Sequence, residues 1–218
     1  NQERRISGLS QDRVRIDLMM HFGYYLTESS GHDSEYLPYY RKSKAIMDRY
    51  CGLGYSGESG VYAKGFPGGH KVIDAARRKR LASKEPFGIQ RSWEYASYII
   101  QALETNASFV TYSTVMNNGL ITNLPQDGVV EVACLVDRRG IRPTHYGKLP
   151  SQCAALCDWN MRMIDMAADA CITRSLETAA HALMLDPLCA AASCPADIRK
   201  MTFELYEAQK KYLPGFKP

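Results

Sequence analysis

Several things are scarce or missing in this sequence, and each absence narrows the function. Its 218 residues contain no long apolar run, and without about 18 consecutive apolar residues there is no candidate membrane-spanning helix. The opening residues, Asn1-Gln2-Glu3-Arg4-Arg5, hold neither an initiator methionine nor the apolar core of a signal peptide, so the chain is expected to begin partway through a longer polypeptide. Basic charge is thin. A net charge of +4, spread along the chain, is not the clustered face that nucleic acid requires. Seven cysteines at irregular spacing do not form a disulfide framework. Neither Cys153 and Cys157 nor Cys189 and Cys194 match a metal-binding motif. They are read as reduced, buried small hydrophobes, which points to a cytoplasmic location. Internal repeats and low-complexity tracts are also absent.

What remains is a composition of 45% hydrophobic and 23% charged residues, ordinary for a globular protein and enough for one large domain or two small ones. Apolar spacing predicts a helix over 11–21 that stops at Phe22-Gly23, and a polar loop over 23–34. A helix over 35–50 would carry Pro38 in its first turn, where the missing N–H does no harm. The glycine-rich stretch 51–70 reads as loop, 71–84 as a basic helix, and 92–105 as an amphipathic helix with Trp93, Ala96, Ile99, Ile100 and Leu103 on one side. Residues 107–116 and 128–136 are β-branched and aromatic strands, with a short third strand at 141–146. Helices close the chain at 151–171, 175–185 and 195–210. The sum is an α+β fold, helices around a small, mainly antiparallel sheet.

One glycine pattern invites a wrong turn. Gly52-x-Gly54-x-x-Gly57, with Asp74 downstream, fits the dinucleotide fingerprint by spacing. That fingerprint needs a buried strand before it and a helix opening on it. Here the preceding residues, Lys44 to Tyr50, are helical and charged. The pattern is therefore read as a flexible loop, long enough to serve as a lid.

Two clusters carry candidate chemistry. Residues 22–40 hold His32, Glu28, Glu35, several hydroxyls and five tyrosines, where a loop leads into a helix N-terminus and donors converge. The plainer reading, a capped helix entry with packed tyrosines, stands level with it on spacing alone. Asn117-Asn118-Gly119, followed by Asn123-Leu124-Pro125, lies between the two strands. Asn and Gly tolerate positive φ, so this first reads as a turn. Glu131 sits inside the second strand and needs a partner if buried.

These residues carry a resemblance. The run from Phe22 through Thr27-Glu28-Ser29-Ser30, His32 and Glu35-Tyr36 to Pro38-Tyr39 is similar to the segment that follows the nucleotide-binding half in family 4 glycoside hydrolases of the α-galactosidase type and their α-glucosidase and α-galacturonidase relatives. Asn117 to Cys134 resembles the family's most recognisable C-terminal motif, and Arg91-Ser92-x-Glu94-Tyr95-Ala96 and Leu149-Pro150-x-Gln152 fit as well. The match runs in order over nearly the whole chain, so residues 1–218 are expected to be one family 4 C-terminal domain for substrate and subunit contacts, without the NAD-binding domain.

The resemblance implies an NAD-dependent exception to two-carboxylate glycoside hydrolysis. In that family NAD takes hydride from C3 of the sugar, a tyrosine removes the C2 proton, and a divalent metal, typically manganese, stabilises the enediolate. The glycosidic oxygen leaves, water adds and the hydride returns. Carried over by motif, Tyr36 falls at the catalytic tyrosine. Ser29, Ser30 and His32 would line the sugar pocket, Asn117 and Asn118 would approach the sugar or nicotinamide, and Arg91 is a substrate or anion contact. The family's metal-binding Cys and His and its nucleotide loop have no counterpart here. The resemblance further implies an α-linked sugar substrate and a dimer or tetramer. Two other readings stand beside it: a non-catalytic sugar-binding or subunit-assembly domain, and the substrate domain of a hydroxy-acid dehydrogenase. The missing catalytic His–Asp pair argues against the last.

Overall fold

The computed structural model describes residues 12–51, 61–86, 88, 90–92 and 94–217. Helices α1 (Arg13–Phe22), α2 (Ser30–Tyr36), α3 (Lys44–Tyr50), α4 (Val61–Ala82) and α5 (Ala96–Thr105) precede strands β1 (Phe109–Met116), β2 (Val129–Asp137) and β3 (Gly140–Pro143). Helices α6 (Ser151–Thr173), α7 (Leu176–Leu185), α8 (Pro187–Ala192) and α9 (Pro195–Gln209) follow, with a last 3-10 turn at Lys210–Tyr212. The fold is α+β, helices with a three-stranded antiparallel sheet in the order β1-β2-β3.

The chain divides into two compact units. One gathers the described residues up to Cys51 with 116–130 and 146–217; the other holds 61–115 and 131–145. In the first unit, Val14 and Leu18 lie four residues apart on one face of α1 and are buried with Leu37 and Tyr40. Phe22, Leu26, Tyr50, Cys51 and Leu156 pack around them. Helix α1 ends where expected, because Gly23 takes the left-handed conformation at φ 84° and returns its N–H to the Met19 carbonyl. Helix α6 packs along α7, and α7 against α9.

In the second unit β2 alternates, with Val132, Cys134 and Val136 buried and Glu131 exposed. Glu131 therefore needs no buried partner. Val136 pairs with Ile141 and Cys134 with Pro143 across to β3. Helix α5 is fixed to this sheet by the stack of Tyr98 on Phe109 (5.5 Å) and by Arg138, which donates to the Glu104 carbonyl.

The structure corrects four expectations. No helix runs from 35 to 50: Leu37, the residue before Pro38, is extended at φ −125°, ψ 147°, because proline excludes the helical conformation from its predecessor. Part of the expected 23–34 loop is instead helix α2. Residues from Val61 onward, expected as loop, are helical through Ala82. The penalties of Gly65, Pro67, Gly68 and Gly69, about 1 kcal/mol per glycine and about 3 for proline, are outweighed over 22 residues. The fourth concerns the cysteines. All seven are free, but Cys134 is the fully buried one, while Cys157, Cys171 and Cys194 are exposed. Apolar helices still turn one face outward. The Gly52-x-Gly54-x-x-Gly57 pattern and Trp93 lie outside the described residues. Helix α8, which spacing alone does not predict, exists because Asp186 caps it twice, accepting from the N–H groups of Leu188 (3.0 Å) and Cys189 (2.8 Å) ahead of Pro187.

Candidate functional site

Within the polar cluster of residues 28–36, Ser30–Tyr36 fold as about two turns of helix. Ser29 is the N-cap of α2: its Oγ accepts from the His32 N–H at 3.4 Å, while its own N–H donates to the Glu28 carboxylate at 2.7 Å. Ser30 is buried, where its Oγ accepts from the Arg15 N–H and donates to Asp12 Oδ1. Ser34 Oγ donates to the Gly31 carbonyl and accepts from Arg41 Nε, whose Nη2 also pairs with Glu35 at 3.1 Å. The serines are thus largely spent on folding. Two of the candidate site residues on this helix stand free of it, His32 and Tyr36, which are spaced four apart and share a face with ring centroids 6.0 Å apart.

Tyr36 is 48% exposed at the last turn of α2. Burial of its inner edge, together with the charges of Glu28, Glu35 and Asp33, raises its phenol above the ordinary value of 10.0. A general base near neutral pH needs the opposite shift. For Tyr36 to act as a base, a positive charge from beyond this cluster would have to bring its phenol back down. His32 Nδ1 lies 3.0 Å from Glu28. The Ser29 N–H, with His32 next, holds the Glu28 carboxyl below the usual carboxylate range.

Helix α6 places these residues. Gln152 Nε2 donates to the Phe22 carbonyl at the end of α1 (3.0 Å), and Asn160 Nδ2 donates to the Tyr36 carbonyl at the end of α2 (3.2 Å). Eight residues of helix between them set the two ends about 12 Å apart along the axis. The start of α6 is tied in turn to the Asn117 loop: Asn123 Nδ2 donates to the Leu149 carbonyl and Asn123 Oδ1 accepts the Leu149 N–H (3.0 and 2.9 Å).

That loop treats its two asparagines differently. Asn117 is completely buried. Its Nδ2 donates to the carbonyls of Ile121, Leu124 and Pro125, and its Oδ1 accepts the Ile121 N–H at 2.7 Å. Both polar atoms are committed to the turn. Asn118 is exposed, with φ 42°, and Gly119 follows at φ 86°, the positive-φ pair expected of Asn-Gly. Arg91 belongs to the other compact unit, stacked over Tyr98 (4.4 Å) and donating to Gln101.

Spacing alone leaves several nearby residues unnoticed. Asp17 accepts from the hydroxyls of Tyr40 (2.9 Å) and Tyr50 (3.0 Å). Burial, and then the bond to Asp17, raise the Tyr40 phenol well above its ordinary value. Asp17, His21, Phe22 and Tyr39 open with Tyr40 and Leu18 on a cavity of about 220 Å³. The signal for Asp17 is a carboxylate beside the apolar stripe of an amphipathic helix with two tyrosines downstream, and it becomes specific only in three dimensions. Asp33 is 2% exposed and lies between the two site residues His32 and Tyr36.

The chain belongs to the family 4 glycosyl hydrolases: residues 1–189 match the model of the family 4 glycosyl hydrolase C-terminal domain. An alpha-galactosidase of Rhizobium meliloti (strain 1021) is 37% identical over 210 residues, 94% of this chain and 43% of that relative. An alpha-galactosidase of Bacillus subtilis (strain 168) is 39% identical over 211 residues, 94% of this chain and 47% of that relative. The chain thus spans less than half the length of these curated relatives. Among solved structures, a 6-phospho-alpha-glucosidase from gut microorganisms, in complex with NAD and Mn2+, shares the fold with a TM-score of 0.70 over 97% of this chain and 46% of its own, at 20% identity. Among the described residues no helix is long and apolar enough to cross a membrane.

Proposed function

We propose that this chain is the substrate-side part of an α-galactosidase that works, when complete, with NAD and a divalent metal, manganese by preference, on an α-linked galactoside. The observation that carries this reading is the α2 face, where His32 and Tyr36 stand free on a helix otherwise spent on its own folding, in a chain 37% and 39% identical to two alpha-galactosidases. Among the described residues no group of three or more His, Cys, Asp and Glu side chains could hold a metal ion. The part we assign to the chain's own residues is substrate placement and proton handling. NAD, when bound, would supply the redox chemistry that makes a sugar C–H acidic.

Within that reading, the Tyr36 phenol takes the C2 proton of the sugar and is the catalytic residue. His32, held by Glu28, offers Nε2 to a sugar hydroxyl, and exposed Asn118 approaches the sugar from the strand connection. Ser29 and Ser30 serve the site by capping and seating α2, and Asn117 serves it by shaping the turn that presents Asn118. Arg91 is kept as an anion contact. The working form is a dimer or tetramer in the cytoplasm. Full-length protein assayed with NAD and Mn2+ against p-nitrophenyl α-galactoside, α-glucoside, α-galacturonide and 6-phospho-α-glucoside tests the substrate. Preference for the galactoside by roughly tenfold or more, the worth of one well-made polar contact, is expected. Equal or better turnover of any of the others contradicts it.

A further inference from the structure

Asp33 is a carboxylic acid with almost no access to water, and its Oδ2 is buried without a hydrogen-bond partner. A carboxylate in that position is strongly disfavoured, so the group is expected to stay neutral instead. The charges around it do not rescue the anion. From the start of α1, Asp12 adds negative charge; Arg15 opposes it, but its guanidinium is spent on the Leu26 carbonyl and on Asp12. Glu28 adds negative charge, and His32 opposes weakly while paired to Glu28. Glu35, on the same helix, is taken up by Arg41. The phenols of Tyr25, Tyr36 and Tyr40 all lie within the field of Asp33. Helix α8, which packs on α2, brings the Cys189 thiol and the Asp186 carboxylate at its N-terminus. Burial dominates, and it pushes the Asp33 carboxyl up from 3.8 to about 7.

We propose that Asp33 is a positioning residue for this site: an uncharged buried acid that seats α2, and through it His32 and Tyr36, and that unseats the helix when it ionises. The geometry fits that role. Asp33 lies three residues before Tyr36 on a helix of seven residues, too short to hold its place without tertiary contacts. Its folded value is raised above its unfolded one. Its contribution to stability is therefore fully present below about pH 3.8 and is lost as the pH rises to about 7. The consequence for turnover rests on the reading of Tyr36 given above; the consequence for the helix does not.

The test is a carbon-13 NMR titration of the 218-residue chain labelled at aspartate carboxyls and tyrosine rings, from about pH 3 to about pH 9, a range that spans both values. One aspartate, assigned to Asp33 in the wild-type chain through its backbone correlations, is expected to titrate near 7. The Tyr36 ring should shift with that same midpoint, and Glu28→Gln should lower the midpoint. In Asp33→Asn the Tyr36 response near neutral pH should vanish. An Asp33 midpoint in the ordinary range of about 4 overturns the proposal, and so does a raised midpoint that leaves the Tyr36 ring unmoved. Because the wild-type titration decides both points, a poorly folding variant does not rescue the idea. If the titration and the ring shift are found but Tyr36→Phe keeps its turnover, the failure belongs to the catalytic reading of Tyr36 and not to Asp33.

Discussion

Full-length protein carrying Tyr36→Phe is expected to turn over an α-galactoside about 10²-fold more slowly or worse, with NAD affinity unchanged. The magnitude is that of a positioned acid–base group. The argument for so clean an effect is geometric. Tyr36 is 48% exposed at the end of α2, and its link to α6 runs through its backbone carbonyl, which accepts from Asn160. Phenylalanine keeps that carbonyl and the ring beside His32. The side-chain hydroxyl is all that is lost, and stability should change by no more than about 0.5 kcal/mol, as for an exposed surface site. If Tyr36 merely packs, the same substitution leaves turnover within about twofold, since the ring and its place beside His32 are kept. Steady-state kinetics and a urea melt on one preparation separate the two outcomes.

The second large effect is on folding. Asn117→Ala should cost about 3 kcal/mol or more, read as a lower urea midpoint of this chain. The substitution removes the hydrogen bonds from one side chain to the carbonyls of Ile121, Leu124 and Pro125 and to the N–H of Ile121. The carbonyls keep partners in the Leu124 N–H, Gln126 Nε2 and the Gly128 N–H, but the Ile121 N–H loses the partner that Asn117 supplied. Each lost bond is worth about 1 kcal/mol, and a buried donor left unmet costs about 1–3 kcal/mol. Asn118→Ala, one residue on and exposed, should cost about 1 kcal/mol, the strain of alanine at a positive φ. Near-equal costs at the two positions would contradict the division of labour drawn between them.

Much of this was legible in the sequence because local signals agreed with tertiary ones. The α1 stripe of Val14 and Leu18 and the glycine after Phe22 both specify the same helix and the same stop. The Asn118-Gly119 pair announces positive φ by residue type alone. Legibility fails where a side chain's partners are remote. Asn160 meets the Tyr36 carbonyl across 124 residues, a contact that nothing near Tyr36 reveals, whereas the helix end itself is marked locally by Pro38, read as a first-turn proline when it in fact holds Leu37 extended. Asn117 is the sharper lesson. An asparagine in a polar turn suits a ligand and a backbone equally well, and burial decides for the backbone. Asp33 is silent in the sequence for a related reason. Among His32, Ser34 and Glu35 it looks like one more solvated residue, and the packing of α1 and α8 on α2 is what takes its carboxyl out of water.

Hydrolysis in D₂O tests most directly the proposal that this chain supplies the proton-handling face of an NAD-dependent α-galactosidase. With NAD and Mn2+, full-length protein acting on an α-galactoside should release galactose that carries deuterium at C2, read by proton NMR of the product, because in the proposed reaction the base takes that proton before the glycosidic bond breaks. Galactose released at a comparable rate with its C2 proton intact would contradict the account.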